Sequence, residues 1–479
     1  MRRVRGTGAN GSSVRRSWAD SSTRRWSVHD SSTRDSSALD SSDHRAWAIA
    51  ALLALLVMVP AWASPALATA PPPQTTFAIT DVTVIDVARG QRVGHRTVLV
   101  ASGRIAAITP SRDADIPAGA LLVDGRNKFL IPGLMDMHVH LLNRSSGRPP
   151  NDWMFPLFIA NGITAVREMN ADVPTLTTVI NPWRRDLDDG LILAPRILAA
   201  GIAVRGNSPE IAVQRVEAAA AAGADFIKVF SDVPAANWHA ILQTAAAHSL
   251  PVDGHVPDEV TLVEAAEAGQ RTDEHLMRAF EACPSLRVCR QVARAVERTG
   301  QVHVPTLILP YVEAHRPIGP LSDDPRWVYL RPDEQDRWIT LLGTLTPEDI
   351  ELAIERWPIM RKIAATFHRA GIPYLAGTDT PMPGVYPGFS LHEELSVMVQ
   401  AGLRPIEALR AATLAPAQFL GVDDVTGSIT TGHRADLVLL DADPTRDIRN
   451  TRRIRAVAFD GRLLQRAALD ALLASSVPK

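Results

Sequence analysis

From Phe77 to Val123 apolar and polar residues alternate, as in Val82-Thr-Val-Ile-Asp-Val87 and Arg96-Thr-Val-Leu-Val100, with glycine-containing turns between the runs. A period of two is that of strands with one buried face, so this stretch predicts a small all-β unit. The far end repeats the pattern in Gly427-Ser-Ile429, Ala435 to Asp441 and Ile454 to Leu463. Two β segments flanking a central region predict one composite β-sandwich, built from residues 69–130 and 420–479. Between them, over residues 131–419, short apolar runs alternate with helical stretches, which argues for parallel strands joined by crossover helices. Strands are expected to end near His140, Glu168, Gly201, Phe230, His255, His275, Leu309 and Asp379. Helices are expected over Pro209 to Ala222, Ala235 to His248, Val260 to Ala268, Pro347 to Arg369, Leu391 to Ala401 and Pro405 to Leu414. Eight such strands close a TIM (β/α)8 barrel, so the predicted class is α/β with a small second domain. The insertion from Pro310 to Trp338, rich in Pro and Trp, is expected to cover the barrel mouth or to form an interface.

Ahead of this lies a different kind of chain. Residues 1–45 are rich in Ser, Arg and Asp and lack the apolar content for a core, so they are expected to be disordered. Arg45 is followed by an apolar run to Ala63, then by the small residues of Ala66-Leu-Ala68. That is the layout of a secretory signal peptide over 46–68, with cleavage after Ala68 or Ala63, and it predicts a periplasmic or secreted protein. An uncleaved membrane anchor is the alternative.

Composition narrows the function classes. With 46% hydrophobic and 21% charged residues the chain can build a large core. Formal net charge is −2. Without residues 1–68 it becomes 41 basic against 47 acidic residues, near −6. Such a surface offers no footprint for a nucleic-acid backbone. The expected partner is a small-molecule substrate; membrane contact comes only through the export signal, and a homo-oligomer is compatible with the sequence. Cys283 and Cys289 are the only cysteines. In an oxidising compartment they can pair, or they are two thiols with no chemical role.

The candidate chemistry starts at Phe129 to Leu141, an apolar run ending in His138-Val-His140. On a strand both histidines project to one side, where their neutral imidazoles can ligate one metal ion. Alone this motif is weak. It gains weight because Lys228, His255, His275 and Asp379 each fall at the end of a predicted barrel strand, and such ends share one mouth.

In this order, His-x-His, Lys, His, His, Asp, the sequence resembles the amidohydrolase superfamily, in its binuclear branch with a carboxylated lysine. Gly223-Ala-Asp-Phe-Ile-Lys-Val-Phe230, Gly377-Thr-Asp-Thr380 and the Gly427 to Val438 pattern carry the likeness to Xaa-Pro dipeptidases and imidazolonepropionase-like proteins. The resemblance implies two divalent ions, zinc foremost, with His138, His140 and Asp379 on the more buried ion and His255 and His275 on the second. A carbamate on Lys228 then joins them. It also implies that a bridging hydroxide attacks an amide carbonyl and that Asp379 is the catalytic residue, moving the proton to the leaving nitrogen. The implied substrate is a dipeptide such as Xaa-Pro, or an N-acyl amino acid.

Arg167, Arg205, Asn207 and Tyr311, near strand ends, are candidates for binding a substrate carboxylate or amide, and equally for loop salt bridges. His392, after the Asp379 loop, is read as a packing residue. Competing readings are a mononuclear deaminase or imidazolonepropionase-like enzyme, and a lactone or phosphotriester hydrolase. The deaminase reading asks for Glu three residues after the fifth-strand His, where this chain has Asp258 and then Glu259. A catalytically inactive binding protein is the non-enzyme reading; retention of all six ligands weighs against it.

Overall fold

The computed structural model describes residues 75–143, 148–315 and 320–478. The predicted leader and signal peptide lie outside the described residues. The first β unit comprises β1 (Phe77–Asp86), β2 (Gln91–Ala101), β3 (Arg104–Pro110), β4 (Leu121–Asp124) and β5 (Phe129–Pro132). β1 and β2 form an antiparallel hairpin in which Phe77 faces Val100 and Asp86 faces Gln91. Its turn closes on Gly90, whose φ of +69° is a conformation that side chains disfavour.

The chain then enters the barrel through β6 (Leu134–Val139), followed by β7 (Ile163–Ala171), β8 (Arg196–Ala203), β9 (Phe226–Val229) and β10 (Val252–Gly254). These pair in parallel in that spatial order. β11 (Thr272–Glu274) and β12 (Val302–Val304) form a second parallel pair. Backbone hydrogen bonds link the two groups, from Arg271 N–H to the Val252 carbonyl at 2.8 Å. On the other side, residues 373–380 lie between β12 and β6. Single parallel bridges join His303 with Tyr374 and Val139 with Thr380. The result is a TIM-barrel-like α/β fold. Strands such as β6 and β9 are buried along their whole length, so they lack the alternation of a half-exposed strand.

Two expectations need correction. Asp379 does not end a regular strand; the eighth position in the ring is an extended segment held by isolated bridges. The seventh strand stops at Val304 rather than near Leu309, because Pro305 cannot donate to a ladder and Leu309 already lies in the helix Ile308–Ala314. The Ile308 N–H, unpaired at that helix start, donates to the buried Glu394 carboxylate at 2.6 Å.

Burial pushes the Glu394 carboxyl up to about 8, from 4.5. The folded protein therefore holds this proton more tightly than the unfolded chain does. Its contribution to stability is complete below the unfolded value and is lost as pH rises through about 8. Glu394→Gln is expected to flatten the fall of the urea midpoint across that window, a difference read directly from unfolding curves at several pH values.

After the barrel, β13 (Leu437–Leu440) returns to pair antiparallel with β5, and β14 (Ile454–Phe459) and β15 (Arg462–Gln465) extend the edge. The order is β15-β14-β13-β5-β1-β2-β3, with β4 against β1. Both chain ends thus join, as expected, but by hydrogen bonding they form one continuous sheet. It has its own core, in which Phe77, Val98 and Leu130 meet Leu437 and Ala456.

The insertion leans on the barrel mouth. Trp338, in the helix Pro332–Gly343, is fully buried and meets Tyr386 edge-on at 5.0 Å. Its Nε1–H donates to the buried Glu334 at 2.7 Å and lies 3.3 Å from the Pro381 carbonyl, two residues past Asp379.

Candidate active site

All six sequence-predicted ligands converge. His138 and His140 leave the C-terminal end of β6 on one side, and the Nε2 atoms of both approach Asp379 Oδ1, at 3.3 and 2.6 Å. The His275 ring lies 4.6 Å from that of His138, and the His255 ring 4.9 Å from that of His275. One ligand atom each from His138, His275 and Asp379 lie within 4.8 Å of one another. Lys228 is fully buried on β9, with Nζ 5.2 Å from the centre of the Phe230 ring, and that ring also meets His255 at 5.3 Å.

Local backbone brings this about. His275 and Asp379 both adopt left-handed conformations, φ +67° and +64°, uncommon for residues with a side chain. Such strain is retained where the surrounding structure over-determines it, and it concentrates at functional sites. Gly254 sits before His255 at φ +125°, and a Cβ there would lie 2.8 Å from Lys228 Cδ. Only glycine lets β10 pass this close to the lysine stem.

The donor set suits divalent ions. Burial pulls His275 down to about 3 and, together with Lys228, holds His255 well below its ordinary value. Both are therefore neutral imidazoles at physiological pH, the form that ligates. Burial works to raise the Asp379 carboxyl, but His138 and His140 together keep it well below the usual carboxylate range. Burial brings the Lys228 ammonium down to about 8 against the pull of Glu274 and Asp379. Among the described residues Lys228 Nζ has no hydrogen-bond partner, nor have His140 Nδ1 and His255 Nδ1. Buried polar atoms left this way are costly unless another group satisfies them.

Behind the ligands lies a network that sequence reasoning missed. Fully buried Glu274 sits 2.7 Å from His138 Nδ1. An ionised carboxylate only accepts, so Nδ1 carries the proton and Nε2 presents its lone pair to the site. Burial works to raise the Glu274 carboxyl, yet Arg167 and His138 draw it well below its usual range. His275 Nδ1 meets Thr306 Oγ1 at 2.7 Å. The available signal was the adjacent pair Glu274-His275. On a regular strand the two would point to opposite faces, and His275 instead turns left-handed at φ +67°.

The substrate-binding candidates divide. Arg167 is corrected to a structural role, being fully buried and donating to Glu274 at 2.7 Å, Asp253 at 3.1 Å and the Met137 carbonyl at 2.7 Å. Tyr311 lies on a helix, stacked on His315 at 4.2 Å and edge-on to Trp357 at 5.5 Å, not at a strand end. Asn207 is exposed in the loop after β8. Arg205, in the same loop, lies over Phe230 at 4.1 Å and so borders the site. His392 packs as read, with Thr451 Oγ1 at 2.9 Å and the Asn161 carbonyl at 3.0 Å. Cys283 and Cys289 are joined as a disulfide, with Cα atoms 4.4 Å apart.

The profile described as the amidohydrolase family matches residues 129–464, from β5 through the barrel to the last strands. The chain belongs to the amidohydrolase family. As an amidohydrolase it is a hydrolase acting on carbon–nitrogen bonds. Imidazolonepropionase of Geobacillus kaustophilus (strain HTA426) is 27% identical over 380 residues, covering 72% of this chain and 84% of that protein. The structure of a putative prolidase from Bifidobacterium longum superposes with a TM-score of 0.63 at 26% identity, over 85% of this chain and 100% of that one. A Xaa-Pro dipeptidase with bound methionine aligns with a TM-score of 0.64 at 19% identity, over 82% of this chain and 100% of that one, a likeness of fold.

Proposed function

We propose that this amidohydrolase cleaves the amide bond of a small acyl-amino compound, a dipeptide such as Xaa-Pro or an N-acyl amino acid. In this reading it uses two divalent ions, zinc foremost, joined by a carbamate on Lys228. The observation that carries the reading is Lys228 Nζ, fully buried in the neighbourhood of Asp379, His255 and His275 with no hydrogen-bond partner among the described residues. With its ammonium lowered to about 8, a fraction of Lys228 is free amine at neutral pH. The amine nitrogen adds to the carbon of carbon dioxide and loses a proton, leaving an anionic carbamate with two oxygens. In this reading His138, His140 and Asp379 would hold one ion, and His255 and His275 the other. Ions bound there polarise a carbonyl and lower the pKa of water towards about 7. On the same reading Asp379, whose Oδ1 lies close to both β6 histidines, takes a proton from the attacking water and returns it to the leaving nitrogen. Glu274 keeps His138 in the ligating tautomer.

The likeness to imidazolonepropionase favours a second reading, a mononuclear enzyme. Against it, Glu259 accepts from Ala235 N–H at 2.9 Å and Asp258 pairs with Arg278 at 2.9 Å, so each acid after His255 is engaged elsewhere. The apolar run of residues 46–68 supports export to the periplasm or beyond.

Metal analysis of the purified mature protein, paired with turnover of Xaa-Pro dipeptides and N-acyl amino acids, tests the proposal. About two ions per chain with hydrolysis is the expected result. Asp379→Asn is expected to lower kcat by roughly 10²–10⁴-fold; full turnover with both ions retained would remove its proton role.

A further inference from the structure

We infer that Arg205 is the specificity-determining residue of this site and that it binds a carboxylate, so that the substrates are acyl-amino compounds with a free C-terminal carboxyl group. The inference rests on the hydrolase reading above and adds the substrate's recognition group to it.

β8 ends at Ala203, which places Arg205 just past the C-terminal end of a barrel strand, on the face where the ligands gather. Its guanidinium lies 4.1 Å from the centre of the Phe230 ring. The same ring meets the His255 ring at 5.3 Å and Lys228 Nζ at 5.2 Å. Phe230 is thus a shared wall, with Arg205 on it and the second half of the ligand set against it.

What distinguishes Arg205 from other arginines around the mouth is its unfilled hydrogen-bonding capacity. Arg167 donates to Glu274 and Asp253, Arg148 to Asp333 and Glu334, Arg326 to Asp324 and Glu393, and Arg337 to Glu334. A guanidinium carries five N–H donors. Among the described residues no acceptor lies within hydrogen-bonding distance of those of Arg205; its one ion pair, from Nη1 to Asp232 at 3.6 Å, is loose and solvent-facing, with the two side chains 36% and 61% exposed. Arg205 Nε is buried and unpartnered.

A planar cation lying against an aromatic face has lost much of its freedom before a ligand arrives. An edge of N–H donors fixed in this way matches a carboxylate, which takes two parallel hydrogen bonds. A neutral carboxamide offers one acceptor oxygen and adds N–H groups facing other N–H groups. The site therefore favours the acid over the amide of the same molecule.

Two readouts on the mature metal-loaded protein test this. Calorimetric titration with a panel of free L-amino acids and their carboxamides, which mimic the released product, needs no turnover. Hydrolysis of dipeptides and of the same dipeptides C-terminally amidated gives the second. The wild type is expected to prefer the acid in both, by about 30-fold or more for one or more members, in line with a charge-assisted bidentate pair. Arg205→Met, which keeps an apolar stem on Phe230, is expected to bring the acid-to-amide ratio close to one, and Arg205→Lys to restore part of it. A wild-type protein without acid preference in binding, or an Arg205→Met variant that keeps the preference, overturns the inference. Acid preference in binding with no hydrolysis of any amide would instead overturn the hydrolase proposal and leave the role of Arg205 standing.

Discussion

Lys228→Ala is expected to abolish measurable turnover, losing at least the roughly 10²–10³-fold that removal of one transition-state stabiliser costs, and to lower bound metal below two ions per chain. The effect should be large because the lysine has no structural partner to lose. Its Nζ bonds to nothing among the described residues, yet it is fully buried beside Asp379 and Glu274. A lysine kept only for its charge would be expected to touch one of these acids. Alanine shortens the stem and leaves room where the carbamate oxygens would stand, so a short carboxylic acid such as acetate or propionate is expected to restore part of both metal content and activity. Elemental analysis and turnover measured in parallel, with and without the acid, check this. One bound ion with activity surviving in Lys228→Ala would remove the carbamate and favour the mononuclear reading.

Arg167→Met is expected to destabilise the protein by about 3–5 kcal/mol, the range for breaking a buried ion pair from one side. Arg167 is completely buried with Asp253 and Glu274, and all three are taken out of water together. Its removal leaves two carboxylates in the barrel interior, Asp253 with Arg271 at 2.6 Å and Glu274 with His138 Nδ1 at 2.7 Å, and neither partner replaces the guanidinium between them. Glu274, no longer held down by Arg167, would also tend to take up a proton and release its hold on the His138 Nδ1–H. Loss of metal affinity should therefore accompany the loss of stability. Urea unfolding of the apo protein gives the first quantity and metal titration the second. A substrate-binding role for Arg167 predicts the opposite pattern, a raised KM with an unchanged unfolding midpoint.

Much of the site was legible because ligand chemistry uses few residue types and barrel topology collects strand ends. His138 and His140 show as a period-two pair, and Lys228, His255, His275 and Asp379 each terminate an apolar run. The side chains behind them were not legible in the same way. Arg167 looks like a mouth arginine by position, but its long side chain turns into the barrel, where the Met137 carbonyl and two carboxylates await it. Leu309 looked like a strand end because Leu307-Ile-Leu is apolar, and burial against a partner decides between strand and helix for so short a run. Glu394, distant in sequence, supplies the acceptor at the start of that helix.

By itself the sequence determined the order of elements, the return of the last strands to the first, and the set of six ligand residues, because hydrophobic periodicity and donor chemistry are local properties of the chain. Tertiary structure alone decided which polar groups are neutralised by neighbours and which are left open. That difference separates Arg167, saturated and structural, from Arg205 and Lys228, whose unfilled nitrogen atoms face the site's surroundings. Hydrogen-bond satisfaction depends on distances between residues far apart in the chain, and no period in the sequence carries it.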